Sequence, residues 1–153
     1  MREEEKLARD VYLALDARWN DSVLQRIASS EQRHFDALGN KIDQYGLVDP
    51  ALPGNGEFAD AELQALYDEL VTTGLNSATD AMIVGATIED MDIRDLQEAI
   101  EATDEAALKT VYGNLLEGSK NHLRAFIGVL RDLGVEYTPT YIDALLFDSI
   151  VGV

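Results

Sequence analysis

Apolar residues recur along this chain every three or four positions, the period of a helix that buries one face. Leu7, Ala8, Val11, Tyr12 and Leu15 begin the pattern and predict a first helix from Arg2 to Trp19. Asp21 stands where an N-cap belongs, ahead of a second helix that runs to about Gln44 and stops at Gly46. The segment GLVDPALPGNGEFAD holds all but one of the prolines and three glycines, so it reads as a crossover connection. A short helix follows over Ala61 to Thr72, ended by Gly74. Ser77 to about Ala102 makes a third long helix, and Thr103 caps a fourth that runs to Leu133 with Gly134 behind it. The tail, residues 135–153, carries Pro139 and a last helical turn or two in YIDALLFDSI. No alternating strand pattern of useful length and no internal repeat is present. The predicted fold is all-α: a single domain, residues 1–153, built as a four-helix bundle. Its crossover connection, between helices 2 and 3, contains the short extra helix.

Rotating each helix by about 100° per residue places its side chains on faces. In the second helix Leu24, Ile27, Leu38, Ile42 and Tyr45 share a face with Glu31 and His34. In the third, Glu89 interrupts the stripe Met82, Ala86, Ile93, Leu96 and Ile100. In the fourth, Ser119 and His122 fill the positions between Leu115, Phe126, Val129 and Leu133, while Glu117 points to solvent. The first helix has a broad apolar face with Glu4 near its centre and Glu5 at its edge, and the rotation leaves the choice between them open.

Each long helix therefore puts an ionisable group into its buried seam. An isolated buried carboxylate costs several kcal/mol unless something compensates it, and a divalent cation would do so. A lone Glu-x-x-His on a helix is more often a solvated pair or a satisfied core histidine. Four coincident seam positions favour a metal held by carboxylate and imidazole.

Composition narrows the chemistry further. The chain has no cysteine, so disulfides, thiolate zinc sites, iron–sulfur clusters and thiol nucleophiles are excluded. Against 29 acidic residues stand 12 basic ones, a formal charge of −17 that repels nucleic acid and anionic membrane surfaces. Solubility or adaptation to salt explains most of that charge. No apolar run of about 18 residues exists to span a bilayer. The opening MREEEKLARD is charged where a secretory signal would be apolar, and it begins inside a helical pattern without an N-cap. The expectation is a soluble protein, cytoplasmic, or exported if the chain is a trimmed mature form.

The residues also carry a resemblance. Glu5, Ala8 and Tyr12 are similar to the first-helix pattern Glu-x-x-Ala-x-x-x-Tyr of ferritins and rubrerythrins, and Glu31 with His34 to their second-helix Glu-x-x-His. More closely, MREEEKLARDVYLAL, SEQRHFDAL, VGATIEDMDIRDL and GSKNHLRAF together resemble an uncharacterised ferritin-like family, domain of unknown function 2202, from Met1 to about Phe126. The resemblance implies a ferritin-like di-iron carboxylate protein. It makes Glu5, rather than Glu4, the first-helix ligand, and Glu31 the carboxylate bridging two metals. His34 would share a metal with Glu5. Glu89 would be a second bridge or a terminal ligand, with Asp92 a weaker candidate, and His122 would bind the second metal. Tyr12 would lie beside the site to hydrogen-bond a ligand or donate an electron.

One position departs from that pattern. Ser119 stands three residues before His122, where rubrerythrins carry glutamate, so the second metal would be short of a carboxylate. An open position, a weakly held second ion or a mononuclear site would result, and Asp92 is the better substitute because Glu117 faces away. The expected function is a non-haem di-iron oxidoreductase reacting with dioxygen or hydrogen peroxide, a ferroxidase being the simplest form. Two iron ions per chain are expected, with manganese as the alternative, an external electron donor, and a homodimer as the assembly. The contrasting reading is a non-catalytic metal-binding or structural bundle, its carboxylates paired with Arg9, Arg94 or Arg124.

Overall fold

The computed structural model describes residues 1–152. Among them are six helices and no strand: α1 Arg2–Trp19, α2 Ser22–Gln44, α3 Ala61–Gly74, α4 Ala78–Ala102, α5 Ala106–Asp132 and α6 Ala144–Val151. None of these helices is long and apolar enough to cross a membrane. The chain forms two compact units, Met1–Ala78 and Thr79–Val153.

In the first unit α1 packs against α2 and α3. The turn from α1 to α2 is tight because Asn20 takes the left-handed conformation at φ 49° and its N–H donates to the Asp16 carbonyl. Asparagine tolerates that conformation better than most side chains. Asp21 then caps α2, its carboxylate accepting from the backbone N–H groups of Val23 and Leu24. Leu7, Val11, Leu15, Leu24, Ile27 and Leu38 are buried here. Gly74 allows the close approach of α3 to α1, since a Cβ there would lie 2.6 Å from a methyl group of Leu15. Trp19 Nε1 ties the same junction by donating to the Gly74 carbonyl at 2.9 Å.

In the second unit α5 packs against α6. It also meets α4 at Gly85, where a Cβ would run into the Phe126 ring. Met82, Ile88, Ile93, Leu96, Leu123, Phe126 and Leu130 are buried.

Three sequence expectations shift. Thr103 does not cap α5: its Oγ1 accepts from the N–H of Glu105, closing a turn before the helix, and Glu105 takes the N-cap position without a side-chain bond. The short helix continues beyond Thr72 to Gly74. Tyr45 and Leu133, assigned to buried stripes, are 46% and 55% exposed. Both are C-cap residues, where the chain leaves the helix and the rotation no longer applies.

Candidate metal centre

α1 and α2 bring three ionisable side chains together in the first unit. Glu5 and Glu31 are fully buried, and His34 is 13% exposed. The His34 Nδ1–H is shared between Glu31 Oε2 at 2.9 Å and Glu5 Oε2 at 3.1 Å. The spacing of Glu31 and His34 on α2 follows from helical rotation, which stacks residues three apart on one face. Glu5 joins them because α1 returns alongside α2 through the Asn20 turn. Glu4 instead pairs with the N-terminal ammonium at 2.6 Å, so the neighbour of His34 is Glu5.

The electrostatics of this trio are those of a group waiting for a positive charge. Burial, opposed by the hydrogen bond to His34, pushes the Glu5 carboxyl from 4.5 up to about 8, and the nearby Glu31 adds to the rise. Burial lowers the His34 imidazole, yet its hydrogen bonds to Glu31 and Glu5 outweigh that and take it from 6.5 up to about 9. An imidazolium is thus the cation the carboxylates hold when no other is supplied. The Glu5 Oε1 atom is buried without a hydrogen-bond partner among the described residues, which leaves an acceptor for a further ligand.

These donors fit a divalent transition metal. One ligand atom from each of Glu5, Glu31 and His34 lies within 4.8 Å of the others. Ligands held at about 2.1 Å and right angles stand about 3.0 Å apart. The separations of His34 Nδ1 from its two carboxylate oxygens, 2.9 and 3.1 Å, match that edge. Oxygen and imidazole suit iron, manganese or zinc.

In the second unit Glu89 of α4 is fully buried and its Oε1 lies 3.5 Å from Nδ1 of His122 on α5. Asp92 is buried too, but it does not join Glu89 and His122 in a set of ligand atoms within 4.8 Å. Ser119 is fully buried one turn before His122. Tyr12 is fully buried on α1, seven residues beyond Glu5 and so on the same face. Glu117 is exposed and paired with Lys120 at 2.7 Å. The arginines offered as alternative partners donate elsewhere: Arg9 to Asp10 and Gln32, Arg94 to Asp95, Arg124 to the Ile150 carbonyl and Asn121.

Residues 1–153 match the family described as Uncharacterized protein domain (DUF2202). The chain belongs to this family. It is similar to Uncharacterized protein MJ0754 of Methanocaldococcus jannaschii, being 46% identical over 153 residues, which are 99% of this chain and 83% of that protein. The crystal structure of hypothetical protein MJ0754 from Methanococcus jannaschii matches with a TM-score of 0.98 at 45% identity, covering 100% of this chain and 88% of that one.

Two buried networks in this DUF2202 chain escaped sequence reasoning. Lys6, 1% exposed, donates to Asp10 at 2.8 Å and to the carbonyls of Gly54 and Glu57 at 2.8 and 2.9 Å. Asp10 also accepts from Arg9 and from the Gly56 N–H, so α1 fastens the segment that joins α2 to α3. Asp90, next to Glu89, accepts from the Tyr137 hydroxyl and the N–H groups of Thr140, Tyr141 and Ile142, which fastens the tail onto α4. Most of the partners are backbone atoms about 50 residues away, so neither network leaves a pattern in the sequence.

Proposed function

We propose that this protein is a metal-binding, ferritin-like four-helix-bundle protein and acts as a non-haem di-iron oxidoreductase toward dioxygen or peroxide, in its simplest form a ferroxidase. The supporting observation is the buried trio Glu5, Glu31 and His34, whose separations suit a first-row divalent ion. The second ion is assigned to Glu89 and His122. Manganese is the alternative to iron at the same donor types.

Bound iron would supply the redox chemistry toward dioxygen or peroxide. The chain's own part is to hold and seclude. Glu5 and Glu31 neutralise the cation, and His34 gives up its proton to become a ligand through Nδ1. The Lys6–Asp10 network keeps the crossover in place against α1, and burial excludes bulk water from the carboxylates. Tyr12 would hydrogen-bond a ligand or pass on an electron. With no cysteine in the chain, reduction would come from a separate donor protein or small molecule. A homodimer is the assembly proposed.

Ser119 favours a second reading, a non-catalytic bundle with one ion or a reduced site, because it adds no carboxylate beside His122. Metal content decides between them. Untagged full chain, purified without chelators and then loaded with Fe(II) anaerobically, is analysed by plasma mass spectrometry. About two ions per chain support the di-iron reading. A single ion supports the reduced site, and no tightly bound metal overturns both.

A further inference from the structure

Ser119 and His122 are one turn apart on the same face of α5, and Ser119 is fully buried. The Ser119 Oγ atom makes no hydrogen bond among the described residues. A hydroxyl sealed away in that way is costly, and in native proteins its partner is commonly a water, an ion or a ligand. A neutral serine hydroxyl is a weak ligand for a divalent metal beside carboxylate and imidazole. It is a good hydrogen-bond donor to something the metal itself holds.

Glu89 and His122 approach to 3.5 Å, while Asp92 does not complete a three-ligand set with them. Ser119 stops two bonds short of where a glutamate carboxylate would reach. Glu89 and His122 supply two of the about four or more ligands that such an ion takes, and an exogenous ligand can be among the others, as in reactive metal sites.

Resting on the metal-binding reading, we infer that Ser119 is a specificity-determining residue that leaves a seat beside Glu89 and His122 for a small oxygen- or nitrogen-donor anion, and donates a hydrogen bond to it. A water molecule takes the seat at rest. The hydroxyl discriminates in favour of ligands with a second lone pair facing α5, and the short side chain limits their size.

The test uses azide as probe on the full chain loaded with ferric iron, followed by its ligand-to-metal absorption, with the metal count measured on each sample. The wild type is expected to bind azide. Ser119→Ala keeps the metal count and weakens azide about fivefold, the size of one hydrogen bond. Ser119→Glu keeps or tightens the metal and weakens azide by about tenfold or more, because the carboxylate takes the seat. Azide affinity unchanged in Ser119→Ala, or no azide response from a metal-loaded wild type, overturns the assignment while the metal reading stands. A wild type that takes up no metal overturns both. Circular dichroism identifies a Ser119→Glu chain that fails to fold, and Ser119→Ala then decides alone.

Discussion

Glu5 and His34 come from different helices, 29 positions apart, yet the His34 Nδ1–H reaches Glu5 Oε2 at 3.1 Å with Glu31 on its other side. One proton at the centre of three ligand atoms stands where a metal would. On the metal-binding proposal, a cation would have to displace that proton.

That competition sets a pH dependence. Glu5 is raised from 4.5 to about 8 and His34 from 6.5 to about 9. For each, the folded state binds its proton more tightly than the unfolded chain. The stabilisation is full below the unfolded value and is lost as pH rises through the folded one. The metal-free protein should lose thermal stability between about pH 4.5 and about pH 9, and added Mn(II) should raise Tm most at the upper end. Calorimetry across that range checks it; a metal-induced shift equal at both ends would contradict proton–metal competition.

Replacing Glu31 with alanine removes the carboxylate nearest His34. Metal content should fall by about one ion per chain or more, since one of three donors is gone. Glu4→Ala should leave the count unchanged, because Glu4 is not among the three side chains brought together there. Plasma mass spectrometry of the two variants beside the wild type reads both outcomes, and an equal loss from each would count against the trio.

Asp10→Ala would leave Lys6 charged and buried without its carboxylate. Breaking a buried pair from one side costs about 3–5 kcal/mol. Urea unfolding should show that loss, and hydrogen exchange should show the Gly56 amide exposed once its acceptor is removed. A loss within error of zero would mean that the carbonyls of Gly54 and Glu57 satisfy Lys6 alone.

Gly85→Ala puts a methyl group into the Phe126 ring. Overpacking of this kind costs about 1–3 kcal/mol. Phe126→Leu in the same chain should recover part of it, so the double variant should be less destabilised than the sum of the two single ones. Thermal unfolding of the three variants measures the coupling; strict additivity would show that the two residues do not meet.

Part of the candidate centre is legible in the sequence. The Glu31–His34 pair is local to one helix, and helical rotation alone stacks residues three apart. Glu89 and His122 stood out because each interrupts an apolar stripe. Choosing Glu5 over Glu4 was beyond the rotation, since the two are adjacent on a broad face. The likeness to ferritin-like helices chose Glu5, and the structure places that residue against His34. Thr103 misled because threonine forms both helix caps and short turns, and only the N–H that reaches its hydroxyl distinguishes them.

By itself the sequence determined the helices, their buried faces and the types of donor on those faces, because each of these follows from neighbours within a turn or two. It also excluded thiolate chemistry outright. Only the tertiary structure decided which donors meet, that Lys6 and Asp10 hold the α2–α3 connection to α1, and that Asp90 gathers the tail. Those contacts depend on the return path of the chain and on backbone N–H and carbonyl groups, which every residue carries and no sequence pattern marks.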